Sequence, residues 1–354
     1  MPSQKNSTLQ SLLRRIGEHQ RAKKPFAVFR YPGEAVVRAI FQEDNSLYAP
    51  VDLTRSGFIV SPFRKDNPAF MILPDRIVEA TDQTTKIKGV TTAESTESVE
   101  EANRYKDLVR RAVQTIRKGN LKKVVLSRPM EVPTGKSALE IFESLLAAYP
   151  SAFCYCWYHP EVGCWLGATP ETLVHFSKSE FRTVALAGTL KKEEGKTPAW
   201  GPKEKEEQGI VTDYIRAALS EMGIKTETSA VETVAAGSLW HLKTTLTGKV
   251  DSDQVGEVIR ALHPTPAVCG IPLKEAQNFI RENEGYARGY YTGYLGELHR
   301  EKEGETRLFV NLRCMEFLGD RARIFVGGGI TASSDEQKEW EETRAKSQTV
   351  LRVL

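Results

Sequence analysis

Four strand-like runs follow one another at residues 152–158, 162–168, 172–177 and 181–187, with only short turns between them. Parallel neighbours need a long crossover, usually a helix, so strands in direct succession argue for antiparallel pairing. Further strand-like runs fall at 122–132, 226–236, 240–250, 306–317 and 321–327. Helix-like runs fall at 102–118, 137–149, 203–222, 253–262, 272–282 and 335–352. The pattern predicts an α+β fold of largely antiparallel sheets with helices outside, and it argues against a doubly wound parallel sheet. Residues 1–90 alternate short apolar runs (PFAVFRYP, SGFIVSPF, AFMILP) with turns, and the Thr-, Glu- and Ser-rich stretch 80–101 reads as a solvated connection. No linker between domains is visible, so residues 1–354 are expected to form a single domain.

Charge and hydropathy exclude several classes of function. A net charge of +3 gives no bulk attraction for nucleic acid. No run approaches the roughly 18 apolar residues that a membrane span needs. The N-terminal stretch lacks an apolar signal core and reads as an exposed amphipathic helix, which makes the cytoplasm the expected compartment. The five cysteines have no metal-ligand spacing and are expected to be reduced; Cys154 and Cys156 alternate with aromatic residues as core positions do. The six histidines form no pair at zinc spacing.

The chemistry concentrates in a few segments. Near the C-terminus a strand-like run ends in Gly327–Gly329, and the helix after it carries Glu339, Glu342 and Lys346 on one face, in line with Val350 and Val353. Inward acids need a partner, either a metal ion or an ion-pair network. In NLKKVVLSRPMEV, Lys123 shares a strand face with Val125, Ser127 and Pro129. A lysine in a strand is usually at an exposed edge, whereas in a closed pocket its pKa would fall and it could act as a base. Glu171, in GATPETL, is either a turn or helix cap or, against apolar walls, a carboxyl that stays protonated as a general acid. Glu207 lies on the apolar stripe of its helix with Val211, Tyr214 and Ala218, while Glu204 and Glu206 point elsewhere, toward solvent.

Three more segments suit a ligand. ALHPTPAVCGIP is a rigid proline-rich loop in which His263 reads as a turn residue. ENEGYARGYYTGYLGEL groups Arg288 with Tyr290, Tyr291 and Tyr294 around glycines that allow close backbone approach. In RLFVNLRCMEF, Arg313 alternates with Leu312 and Cys314 inside an apolar strand, and a buried arginine wants an anion. Together the segments ask for a carboxylate ligand, a divalent cation and an acid–base pair.

LKKVVLSR, GATPETL, LAGT, KEKEEQ, LHPTPAV, RGYYTGYLG, NLRC and GGGI…EWEETRAK, in this order, resemble the chorismate-utilising enzymes. The resemblance covers residues 101–354 as a catalytic core, with residues 1–100 as a variable N-terminal part. It implies two large antiparallel sheets packed face to face. Lys123 in KVVLSR and Ala267 in PTPAV resemble the isochorismate- and salicylate-forming branch, and the ammonia-using synthase subunits lack the lysine. The resemblance therefore implies Mg²⁺-dependent conversion of chorismate to isochorismate, for menaquinone or siderophore biosynthesis, by a monomer without a glutaminase partner, a membrane or nucleic acid. Salicylate formation and ammonia-dependent amination are the alternatives.

Residue by residue, the resemblance makes Lys123 the base that activates water and Glu171 the general acid. Glu207 and Glu342 are the implied Mg²⁺ ligands, with Glu339 beside the ion. Gly188, Thr189, Ala267, Arg313, Gly327 and Lys346 are implied substrate contacts, and Tyr291 and His241 implied pocket residues. Gln208, Leu190 and Cys269 depart from the common pattern and are expected to alter the detailed shape of the pocket.

Overall fold

The computed structural model describes residues 4–50, 53–82, 98–192, 197–236, 239–300 and 304–354. Its first sheet has ten strands. In spatial order they are Gln4–Thr8, Arg76–Thr81, Val36–Phe41, Phe26–Arg30, Phe153–His159, Gly163–Thr169, Cys314–Phe317, Arg321–Ile330, Lys123–Pro133 and Gly270–Ile271. The second sheet runs Thr226–Thr228, Leu239–Lys249, Glu180–Lys191, Thr172–Ser177, Glu305–Val310, Tyr294–Arg300, Gly57–Ser61 and Phe70–Ile72. Glu232–Ala236 also pairs with Leu239–Lys249. Among the described residues only the pairing of Gln4–Thr8 with Arg76–Thr81 is parallel, so the expected antiparallel α+β architecture is observed.

The sheets pack face to face through aromatic side chains. Phe29, Phe153, Tyr155 and Trp157 of the first meet Phe58, Phe70 and Phe309 of the second, and the Phe153 and Phe309 rings stack with centroids 4.1 Å apart. Helices cover the outer faces. Leu9–Arg21 and Ala138–Ala148 pack on the first sheet, and Pro202–Glu221 and Val255–Leu262 on the second. Val99–Arg117, Leu273–Asn283 and the C-terminal helix Glu336–Leu351 gather over the strands Lys123–Pro133 and Arg321–Ile330. Local signals set their limits: Ser98 and Glu101 form a reciprocal cap, and Asp335 accepts from the amides of Gln337 and Lys338.

Four sequence expectations need correction. The N-terminal helix is amphipathic but docked, not exposed: Leu12 and Ile16 are fully buried. The stretch 80–101 is not a connection throughout, because Arg76–Thr81 is a paired strand and Val99 begins a helix; residues 83–97 lie outside the described residues. The run 226–236 divides into two strands at Ser229–Val231. The run 306–317 also divides. Glu305–Val310 belongs to the second sheet and Cys314–Phe317 to the first, so the chain crosses between sheets at Asn311–Arg313. Arg313 sits at that crossing with φ 48°, a conformation that an alternating strand cannot contain.

Candidate active site

The site forms where the glycine-rich end of Arg321–Ile330 faces the strand Glu180–Lys191 of the other sheet. Gly327, Gly328 and Gly329 pair with Ser127, Leu126 and Val125, so the strand continues through the glycines. A Cβ on Gly329 would lie 2.7 Å from Glu207 Oε1, and one on Gly328 would lie 3.2 Å from Glu339 Oε2 and 3.5 Å from Glu342 Oε1. At Gly327 it would meet the Leu126 carbonyl oxygen at 2.5 Å. The missing side chains are the room in which the carboxylates stand. On the opposite wall a bulge at Gly188 (φ 74°) shifts the register of Glu180–Lys191 against Leu239–Lys249 and lets the Glu204 backbone come close.

One end of the cavity is a set of carboxylate–lysine pairs. Lys123 is fully buried in an interior strand, not at an exposed edge, and its Nζ lies 2.8 Å from Glu207 Oε1. Lys346 Nζ lies 2.6 Å from Glu342 Oε1 and donates to the Gly327 carbonyl at 2.9 Å. Lys203 Nζ lies 3.2 Å from Glu339 Oε1, which also accepts from Ser334 Oγ. Burial pushes the Glu207 carboxyl up, but Lys123, followed by Lys346 and Lys203, holds it below the ordinary value. Glu339 is raised, by burial and then by the like charge of Glu342. Its Oε2 is buried without a hydrogen-bond partner.

The other end holds Glu171. This carboxyl is buried beside Pro170, Leu186 and Arg313. Burial drives its pKa from 4.5 to about 7, against the opposing charges of Lys123, Arg313 and Lys346. Arg313 reaches in from the inter-sheet crossing, with Nη1 donating to Thr349 Oγ1 at 2.9 Å. It forms no ion pair with a carboxylate among the described residues. His241 Nδ1 lies 3.1 Å from the Gly188 carbonyl oxygen and 3.3 Å from Thr189 Oγ1. A carbonyl only accepts, so Nδ1 carries the hydrogen and Nε2 presents a lone pair. That Nε2 is buried and unpartnered, and burial followed by the Arg313 charge lowers the ring's pKa to about 4.

The structure thus gathers Glu171, Gly188, Thr189, Glu207, His241, Ala267, Tyr291, Arg313, Gly327, Glu342 and Lys346 around one cavity. Lys123 and Glu339 stand directly behind Glu207 and Gly328. Behind the wall, Arg288 holds Glu284 and donates to the carbonyls of Val268 and Val125, while Glu284 accepts from Ser127. Arg288 therefore ties the proline-rich loop to the lysine strand and does not act mainly through the neighbouring tyrosines. His263 caps a helix and contacts the Pro62 carbonyl, as a turn residue would. Gln208 turns to Thr212 and Thr244, and Cys269 packs among apolar side chains, so neither lines the cavity.

Sequence reasoning missed Lys203 and Glu204, which both line the cavity. Glu204 is half-buried, not solvated, and its Oε2 accepts from the Gly201 amide at 3.1 Å. Lys203 precedes Glu207 by one helical turn, so the stripe that drew attention to Glu207 also contained it. Among the described residues no three His, Cys, Asp or Glu side chains already form a closed cage, because oxygens of these carboxylates rest on lysines. The donor set still fits a small hard cation. It is all oxygen, it crowds two like charges together, and it leaves one buried oxygen unpartnered.

Comparisons with known proteins identify the family. Residues 71–354 match the family model described as chorismate binding enzyme. The isochorismate synthase EntC of Escherichia coli K12 is 30% identical over 271 residues, spanning 73% of this chain and 68% of that protein. The putative isochorismate synthase MenF of Mycobacterium tuberculosis H37Rv is 29% identical, spanning 93% of this chain and 96% of its own. The crystal structure of a putative 2,3-dihydroxybenzoate-specific isochorismate synthase, DhbC, from Bacillus anthracis superposes with a TM-score of 0.81 at 22% identity, covering 96% of this chain and 99% of that one. Two face-to-face antiparallel sheets with this site at their edge define a chorismate-utilising fold. The chain belongs to the chorismate-binding enzyme family.

Proposed function

We propose that this protein is an isochorismate synthase, adding water at C2 of chorismate with loss of the C4 hydroxyl and using Mg²⁺. The observation that carries the reading is the placement of a buried lysine and a carboxyl with a pKa of about 7 at opposite ends of one cation-lined cavity. A base and an acid with separately set environments are what the reaction requires.

Arg313 and Lys346 bind substrate carboxylates and fix the ring between the two ends. His241 Nε2 accepts from a ring hydroxyl. Lys123, as the neutral amine, takes a proton from water while the water oxygen bonds to C2. The ring double bonds shift, the C4–O bond breaks, and Glu171 gives its proton to the departing oxygen, which leaves as water. Water enters and water leaves; the proton gained by Lys123 and lost by Glu171 returns through solvent between turnovers. Lys123 can act only after giving up its hydrogen bond to Glu207. Glu207 and Glu342 would hold Mg²⁺, with Glu339 beside them, and the ion when bound supplies positive charge that draws electron density from the ring through its carboxylate.

A base positioned for water makes ammonia use and a glutaminase partner unnecessary. Every proposed catalytic group comes from one chain, so a monomer is the expected active unit. Five buried free thiols fit a reducing compartment such as the cytoplasm. Incubation with chorismate and Mg²⁺, with products separated by chromatography, tests the reading. Isochorismate is the expected product. Fluorescent salicylate would shift the assignment to a salicylate synthase, and an unchanged substrate would refute it.

A further inference from the structure

A second chamber, of about 560 Å³, adjoins the site on the far side of Glu171. It shares Pro170, Glu171, Leu186 and Arg313 with the first cavity. Its size falls within the roughly 300–1,000 Å³ range of small-molecule sites. Sheet register builds one wall. Arg182, His175 and Arg307 are direct partners across three adjacent strands, and Lys243 is the partner of Leu186 farther along.

The charges are not evenly answered. Glu305 is engaged by His175 at 2.5 Å and Arg307 at 2.9 Å, with Arg300 at 4.0 Å, and Arg307 also meets Glu34. Those groups balance one another. Among the described residues Lys243 has only Glu232, 3.7 Å away and largely exposed. Arg182 is exposed at the outer rim and pairs with no carboxylate among the described residues. At the inner end Arg313 likewise lacks one. Arg182 at the rim and Arg313 at the inner end thus lack a carboxylate partner among the described residues, and Lys243 between them has one weakly held partner.

Resting on the proposed function, we infer that this chamber is an anion-binding vestibule through which a small dicarboxylate reaches Arg313, with Arg182 and Lys243 drawing it in. A cleft walled by low-dielectric protein focuses such a field, and the effect fades as salt shortens the screening length.

The test is the salt dependence of kcat/KM for chorismate in R182E, K243E and the charge-matched control K118E, which lies on an exposed helix end away from both cavities. At low ionic strength R182E and K243E are expected to lose roughly threefold to tenfold in kcat/KM, mostly through KM, with a flatter salt dependence than the unaltered protein. K118E should behave as the unaltered protein. V184W, which narrows the chamber without removing charge, should lower kcat/KM at all salt concentrations, with circular dichroism confirming the fold. If the unaltered protein converts chorismate while R182E and K243E match it, or K118E loses as much as they do, the vestibule is overturned and the proposed function stands. If the unaltered protein neither binds nor converts chorismate, the proposed function fails and the vestibule falls with it.

Discussion

The two ends of the cavity bury the same functional group in opposite ways. Glu207, Glu339 and Glu342 each share an oxygen with a lysine, whereas Glu171 has no ion pair among the described residues and meets apolar walls. Glu207 is consequently held ionised and Glu171 close to half-protonated at neutral pH. Cations exist near both, so proximity of charge alone does not decide. A hydrogen-bonded ammonium outweighs burial at Glu207, and at Glu171 the more distant cations do not. One chain thereby keeps an ionised and a partly protonated carboxyl within one cavity.

The largest expected effect comes from removing the buried lysine of the paired end. Lys123→Ala should lower turnover of chorismate by about 100- to 10,000-fold while near-ultraviolet circular dichroism stays native. Turnover at the unaltered rate would show that the paired end has no base. Next, Glu342→Ala should reduce Mg²⁺-dependent activity by orders of magnitude and weaken Mg²⁺ binding measured calorimetrically; unchanged binding would return Glu342 to a simple ion-pair role.

Behind the wall, Arg288→Leu leaves Glu284 buried and unpaired. It should cost about 3–5 kcal/mol in denaturant unfolding. Glu171→Gln gives the smallest and most diagnostic change in stability. The folded carboxyl is raised from 4.5 to about 7, so the favourable protonated state is complete below pH 4.5 and lost as pH rises through 7. The unaltered protein should lose up to about 3 kcal/mol over that window relative to Glu171→Gln. The same titration should set the alkaline limb of kcat/KM near pH 7, with activity falling as the acid loses its proton.

The parts of this arrangement that depend on local periodicity were legible in the sequence. Helical spacing put Glu339, Glu342 and Lys346 on one face, strand alternation put Lys123 with Val125 and Ser127, and short turns required antiparallel pairing. What periodicity does not carry is the identity of the neighbouring element. Lys123 resembles an edge lysine until Arg321–Ile330 and Gly270–Ile271 are known to flank its strand. The run from Arg307 to Phe317 contains no glycine or proline, so its division between two sheets leaves no breaker signal in the sequence. Glu204 looked like an ordinary charge in a helix's first turn because its burial comes from the Gly188 bulge, a feature of another strand. Arg182 resembles any exposed strand arginine until the second sheet's register aligns it with His175 and Arg307.

The crossing at Asn311–Arg313 ties chain length to recognition. Side chains in a strand alternate with a period of two, and strands on both flanks of the crossing are locked into different sheets. Adding or deleting one residue there would change the length of the crossing and turn the Arg313 guanidinium away from the cavity, with every apolar side chain of the inter-sheet core still available. The spacing between Val310 and Cys314 is therefore a ruler, and it should resist insertion more than the surface turns that join the other strands.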